Sequence, residues 1–367
     1  MIKRLIGLLA LLGVLMSILP LHQAAAARGT PGSSEFGYGA HLDLKGQYVP
    51  DGIQLANNLQ VDWVAVDISW QSIQPSRENQ VDWSRLDSVF ALLEHYKITV
   101  MASVTQPPGW AVSKTGPDSD LAAKLVLQLV QHYPASISAV ELFPAANTRS
   151  GWGARPDPVA YMALWKKVNQ VLADSRSPVL LVAAGLVPQV NPSPDQLDDL
   201  EFLQGLYKAG ARNLVQVFSL QMQNVTGEPA TNPTQDEHRV LRHYEEIRQI
   251  MIQNQHDTGL LWITQLTAPL ANDAASDFQA RAQNQAAWLA QAFQQLRSQL
   301  YIGVAFLNRL NPSSDQSGTT SGTPLITLTG DLHPAFRVLR DQIAQNSSGG
   351  MDPRPGRPKT ESLVKGH

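Results

Sequence analysis

Short apolar runs alternate along the chain with longer stretches in which apolar residues return every three or four positions, from Gly37 to Ala344. Gly37-Tyr38-Gly39-Ala40-His41-Leu42 predicts a first strand, followed by a helix around Gly52 to Leu59. Residues 63–68, 99–104, 139–143, 179–185, 214–220, 260–264 and 302–307 share that strand character. Each precedes a helical pattern, over 83–96, 121–133, 158–173, 197–209, 238–253, 277–300 and 334–344. In the first of these, Leu86, Val89, Phe90, Leu92 and Leu93 form one face. Pro158 suits a helix start, and Gly210 suits a helix end.

Near-continuous apolar strands, each followed by a helix, imply a parallel sheet covered by helices. Eight such units in about 310 residues predict an α/β chain folded as a single-domain (β/α)8 TIM barrel. A doubly wound open sheet is the alternative, but no glycine-rich phosphate loop follows the first strand. The longest loops follow strands, at 105–119, 144–157, 225–237 and 308–333, where a barrel builds its functional face.

The ends read differently. Lys3 and Arg4, an apolar run from Leu5 to Leu21 and the small residues Ala24 to Ala27 make residues 1–27 a signal peptide, with cleavage expected near Ala26 or Ala27. An uncleaved anchor is the rival. The run falls short of the ~20 residues that span a bilayer, and Pro20 interrupts it. A secreted or cell-envelope location follows, with membrane attachment only if the segment is retained. Residues 28–36, rich in Gly, Pro and Ser, read as a leader before a barrel over 37–344. Residues 345–367 are too poor in apolar side chains to order themselves and read as a flexible C-terminal tail.

Composition narrows the chemistry. Among 367 residues, 28 Lys+Arg stand against 31 Asp+Glu, a net charge of −3. Loss of Lys3 and Arg4 with the signal would leave −5. Without a basic excess, nucleic acid is not an expected partner. The absence of Cys removes disulfides, thiolate nucleophiles and thiolate metal sites. No metal and no cofactor is expected, because the His residues lack ligand spacing; His238 and His243, for instance, are five apart. No serine elbow or P-loop appears. Asp43, Asp67, Glu141, Glu228 and Asp273 lie in or just after strands and are the remaining candidate acids, although a cap or ion pair explains each more simply. His41 could face the mouth of a barrel, with a satisfied core histidine as the simpler reading.

Val66-Asp67-Ile68-Ser69-Trp70-Gln71-Ser72-Ile73-Gln74-Pro75, then Val81-Asp82-Trp83 and Leu86-Asp87, resemble the second unit of clan A, cellulase-like glycoside hydrolases. Pro107-Pro108-Gly109-Trp110 resembles the segment after their third strand. Gly185-Leu186-Val187-Pro188 with 199–211 resembles their fifth unit. The resemblance implies a pair of carboxylates at the ends of the fourth and seventh strands, one the acid/base and one the nucleophile. The family's fourth strand usually ends E-x-W-N-E-P-N. This chain reads Glu141-Leu142-Phe143-Pro144-Ala145-Ala146-Asn147, which puts Ala145 at the acid/base position and Pro144 at that of the sugar-binding Asn. The seventh strand usually reads W-I-T-E-x-G. Here Trp262-Ile263-Thr264-Gln265 puts Gln265 at the nucleophile position. Gln221 and Gln223 replace the His and Tyr of the sixth strand.

A methyl group cannot pass a proton, and an amide neither attacks carbon nor carries negative charge. By the resemblance, then, the chain is a glycoside-hydrolase-like pseudoenzyme, with a glycan or a protein partner in the envelope as the ligand. Gln265 retains the capacity to hydrogen-bond a hydroxyl. Trp70, Trp110, Trp152 and Phe306 lie at strand ends or in following loops, where sugar rings could stack. An active hydrolase with relocated carboxylates is one alternative. A structural subunit of an extracytoplasmic assembly is the other.

Overall fold

A computed structural model describes residues 27–77, 80–223, 225–234, 237, 239–269, 278–313 and 324–347. Eight parallel strands close into a barrel in chain order. They are β1 (Gly37–Leu42), β2 (Trp63–Ser69), β3 (Val100–Thr105), β4 (Ile137–Leu142), β5 (Leu180–Leu186), β6 (Val217–Met222), β7 (Leu260–Leu266) and β8 (Ile302–Leu307). The following helices are α1 (Val49–Leu59), α2 (Ser84–His95), α3 (Ser119–His132), α4 (Pro158–Asp174), α5 (Asp199–Lys208), α6 (Tyr244–Gln253), α7 (Phe278–Arg297) and α8 (Ala335–Ser347). This is the (β/α)8 barrel, so the open-sheet alternative falls. A two-stranded hairpin, Val112–Ser113 with Gly116–Pro117, decorates the loop after β3. No helix among the described residues is long and apolar enough to cross a membrane.

Local chemistry sets the helix starts. Asp118 accepts from the backbone N–H of Asp120 and Leu121 at the head of α3, and Asp157 does the same for Val159 and Ala160 at α4. Pro158 is the first residue of α4. Gly210 follows α5 with φ 97°, the left-handed geometry that glycine adopts freely.

Inside the barrel, side chains alternate with a period of two along each strand. The lowest inward layers are apolar: Trp63, Ala65, Met101, Ala139, Val182, Val217, Leu260, Trp262, Val304 and Phe306 pack into one cluster. Trp262 therefore fills the barrel interior, 5.1 Å from Trp63 between ring centroids. A Cβ at Gly39 would lie 2.3 Å from the Phe306 ring, so glycine there makes the room that Phe306 occupies. Two residues further up several strands the character changes, to His41, Asp67, Ser103, Glu141, Ser219 and Thr264. The chain thus builds an apolar floor and a polar upper layer.

The segment read as a leader is part of this floor. Trp63 Nε1 donates to the Arg28 carbonyl at 2.9 Å, and Trp262 Nε1 donates to the Gly29 carbonyl at 2.8 Å. Phe36 is fully buried against Tyr38. Its Gly, Pro and Ser content reflects tight turns pressed against the barrel rather than a free connector. The segment read as a signal peptide, apart from Ala27, lies outside the described residues, as do the segment beyond Ser347, His238 and Asp273.

Candidate functional site

The ends of β6 and β7 carry three glutamines. A register shift between Leu220 and Gln221 sets Gln221 directly opposite Gln265. Gln223 Nε2 donates to Gln221 Oε1 at 3.0 Å and also to Gln265 Oε1. One amide thus holds both carbonyl acceptors, and the Gln265 NH2 remains the polar end available for a ligand acceptor.

Across the mouth, the turn after β4 is fastened to β5. Ala145 N donates to the Gly185 carbonyl at 2.8 Å, and Ala146 N donates to that of Ala184. Asn147 Nδ2 donates to the carbonyls of Val187 and Leu197, while its Oδ1 accepts from Val187 N. Pro144 is buried, and Ala145 is half-buried with φ 62°. Neither position offers a group that could hold or move a proton.

A cavity of about 380 Å³ opens beside these residues, lined by Gln223, Gln265, His41, Asp67, Ser69, Gln106, Asn308 and Arg309, with Asp43 and Lys45 at the rim. Arg309 Nη1 donates to Asp43 Oδ2 at 2.7 Å, an ion pair that takes Asp43 out of contention as a free base. Ser69 Oγ donates to Gln106 Oε1 at 2.7 Å. His41 Nε2 stands 3.4 Å from Asp67 Oδ1, so His41 does face the mouth rather than sit satisfied in the core. Asp67 is half-exposed. Its partial desolvation by the walls of the mouth pushes its pKa up, but the facing His41, with Arg309 and Lys45, outweighs this and holds it below the usual carboxylate value.

Glu141 lies beneath this cavity, 2 % exposed. Ser103 Oγ donates to its Oε2 at 2.6 Å, and its Oε1 has no hydrogen-bond partner. Burial raises its pKa; the Ser103 hydrogen bond opposes the rise, and the charge of Asp67 adds to it. Ionising Glu141 in the fold is therefore unfavourable. Because the raised value makes the folded protein favour the protonated acid, Glu141→Gln is expected to stabilise the protein at pH values above the ordinary carboxylate range and to change stability little below it. Chemical denaturation across that range checks the sign.

The aromatic residues named as sugar platforms are placed differently from the expectation. Trp152 is fully buried, its Nε1 donating to the Thr115 carbonyl at 2.8 Å, with Phe143 and Tyr161 packed around the ring. Phe306 belongs to the apolar floor. Trp70 is 1 % exposed and spends its N–H on Gln74 Oε1. These three have no ring face open to the mouth, because the barrel interior and the loop after β3 consume them. Trp110 alone stays half-exposed, and it lines a cavity on the flank instead. Glu228 sits exposed on the loop after β6. What the sequence reading missed as a site is the polar ring Ser69, Gln106, Asn308 and Arg309. Their signal was position at or just past a strand end.

Comparison with known proteins bears on fold. No model of a known protein family matches the sequence, and no curated protein is similar to it. Solved structures do resemble it, and they are clan A glycoside hydrolases on the same eight-strand parallel barrel. A family 5 glycoside hydrolase from Bifidobacterium longum in complex with Manb1-4GlcNAc superposes with a TM-score of 0.64 at 13 % identity, covering 89 % of this chain and 81 % of that one. A family 39 glycoside hydrolase from Bacteroides cellulosilyticus WH2 gives 0.60 at 14 % identity over 83 % of this chain. This chain spans only 62 % of that enzyme's length. A monomeric beta-xylosidase from Caulobacter crescentus CB15 gives 0.60 at 13 % identity, over 84 % and 68 %. At such identities the likeness is one of fold.

Proposed function

We propose that the chain is a glycoside-hydrolase-like pseudoenzyme that works outside the cytoplasm and holds a glycan in the barrel mouth without cleaving it. The observation that carries this reading is the pair Ala145 and Gln265 at the ends of β4 and β7, where a retaining hydrolase on this fold would need two carboxyl groups about 5 Å apart. General acid–base catalysis is worth roughly 10²- to 10⁴-fold, and neither position can supply it. A cavity lined by amides, hydroxyls and a few charged groups suits hydroxyl-rich ligands. The amino-terminal segment supports work outside the cytoplasm.

The test pairs turnover with binding. No hydrolysis is expected across a broad glycoside panel, while a glycan array registers binding that Gln223→Ala weakens about tenfold by freeing Gln265 from its fixed orientation. Robust hydrolysis would defeat the proposal. Stable co-purification of a protein without any glycan binding would move the reading to a protein partner or an envelope assembly.

One observation favours a second reading. Asp67 and Glu141 have pKa values pushed in opposite directions, the pattern of an acid and a base sharing a site. Glu141 is enclosed beneath the cavity, which stands against it as a proton donor to any ligand. Hydrolysis abolished by Asp67→Asn would establish that reading instead.

A further inference from the structure

The polar groups that line the mouth divide into those already engaged and those left open. Asp43 accepts from Arg309 Nη1 and, at its Oδ1, from Lys45 N at 2.9 Å. Ser69 Oγ is held by Gln106, and the Gln265 carbonyl by Gln223. Asp67 differs. Its polar contact among the described residues is His41 Nε2, 3.4 Å from its Oδ1, and that contact is not a hydrogen bond. The Asp67 side chain is 46 % exposed on the cavity. We propose that Asp67 is the residue by which the mouth selects its glycan, its carboxylate accepting two adjacent hydroxyls of one neutral sugar ring. The inference rests on the reading of the mouth as a glycan site and names the group that the site recognises.

The carboxylate is firmly placed. Asp67 lies within β2, paired with Ser103 on β3, and His41 backs it from β1. His41 is 6 % exposed and its Nε2 is buried without a hydrogen-bond partner, so this imidazole acts on Asp67 rather than on a ligand. Desolvation by the walls works against the charged form, but His41, then Arg309 and Lys45, keep the carboxylate ionised. An ionised carboxylate only accepts, at both oxygens, and its hydrogen bonds are shorter and stronger than neutral ones. Hydroxyls on adjacent ring carbons present two donors side by side, the match for a pair of carboxylate oxygens. Gln265, on β7, turns its NH2 toward the same cavity and supplies the donor for the acceptor oxygens of the sugar. A group held on strands needs little reordering when the ligand arrives.

Charged sugars fit less well. A uronic acid would bring its own carboxylate up to Asp67. The ammonium of an amino sugar would meet Arg309 and Lys45, which line the cavity and whose charges already act on Asp67.

The experiment places the purified protein on a glycan array of neutral, uronic-acid and amino-sugar oligosaccharides. Calorimetry then follows on the neutral glycan bound best and on its monodeoxy analogues. Neutral glycans with an unsubstituted pair of adjacent hydroxyls are expected to bind, and Asp67→Asn to weaken them about tenfold. One monodeoxy analogue should bind the intact protein about tenfold more weakly than its parent, whereas Asp67→Asn should bind the two alike. A merely structural role for Asp67 would not erase that discrimination. Unchanged binding in Asp67→Asn, or a deoxy penalty that persists in the variant, would overturn the inference while the glycan reading stands. An array on which nothing binds would remove that reading and this inference with it. Amino sugars bound in preference, with the same dependence on Asp67, would assign the carboxylate to an ammonium instead.

Discussion

A chain that starts at Gly37 is expected to be less stable by roughly 5 kcal/mol or more than one that starts at Ala27. The ten residues removed, Ala27 to Phe36, include no predicted strand or helix, yet they close the bottom of the barrel. Trp63 and Trp262 each lose the carbonyl that accepts their indole N–H, from Arg28 and Gly29. Each buried donor left unpaired costs about 1–3 kcal/mol. Loss of Phe36, fully buried against Tyr38, adds about 3 kcal/mol by the usual large-to-nothing core deletion. The Arg28 guanidinium also stands 3.5 Å from Asp62, whose pKa burial pushes up and whose charged form Arg28 and the Tyr38 backbone N–H help to sustain. The position is unforgiving in the opposite sense as well. A Cβ on Gly303 would come within 2.2 Å of the Gly29 carbonyl oxygen, so the segment is seated against bare backbone. Thermal unfolding should move down by about 10 °C in the shortened chain. A midpoint within a degree or two of that of the longer chain would show that the floor is self-sufficient.

The same segment marks where the sequence stopped being legible. The eight strands could be read because their burial is nearly complete and their apolar runs continuous, and the observed bounds differ from the predicted ones by at most about three residues. Residues 28–36 carry no such run. Their contribution is two backbone carbonyls and one phenyl ring, and backbone carbonyls leave no trace in residue identity. The candidate site divides in the same way. Gln221 and Gln265 stand opposite one another across β6 and β7; the strand order follows from the alternating pattern of the sequence, whereas the register shift at Gln221 that brings them together leaves no trace in it. The tryptophans did not behave as expected, since a Trp at a strand end is equally compatible with a floor, a wall or an open platform. Only the packing of the loop after β3 over Trp152, and of Gly39 against Phe306, decides which. The polar upper layer was also hidden, because single polar residues such as Ser103 and Thr264 inside apolar strands look like tolerated exceptions until six of them fall at one height.

That height bears on function. In a (β/α)8 barrel the scaffold and the chemistry occupy different ends of the same strands, so one can change while the other persists. Here the floor keeps large apolar side chains and the capped helices keep their aspartates. At the mouth, amides and a methyl group stand where the resemblance leads one to expect acids and a sugar-binding side chain. A fixed amide array can still pair with hydroxyls, which is why we propose binding without turnover.

Replacing His243 is expected to cost about 3–5 kcal/mol at neutral pH, the cost of breaking a buried ion pair by removing one partner. His243 is fully buried just before α6. Its Nε2 contacts Asp199 Oδ2 at 2.6 Å, at the first turn of α5, and its Nδ1 contacts Glu246 Oε2 at 2.7 Å. Burial alone would lower the histidine's pKa. The Asp199 charge and hydrogen bond, with Glu246 behind them, overcome that and raise it to about 9. Both ring nitrogens then donate, and the imidazolium ties the heads of two adjacent helices together. In His243→Ala the Asp199 carboxylate is left fully buried, with a second oxygen, Oδ1, that already lacks a partner. The sign of the pH dependence follows from the raised value. The stabilisation is complete below about pH 6.5, the ordinary histidine value, and is lost as pH rises through about 9. The intact protein should therefore lose on the order of 3 kcal/mol between pH 6.5 and 10, and His243→Ala should be nearly flat over that window. The double variant Asp199→Asn/His243→Gln should recover part of the loss, because it removes the orphaned charge along with its partner. Denaturant midpoints at a series of pH values measure all three. Parallel pH profiles for the intact protein and His243→Ala would mean that the buried histidine is neutral and that the two helices are held by packing alone.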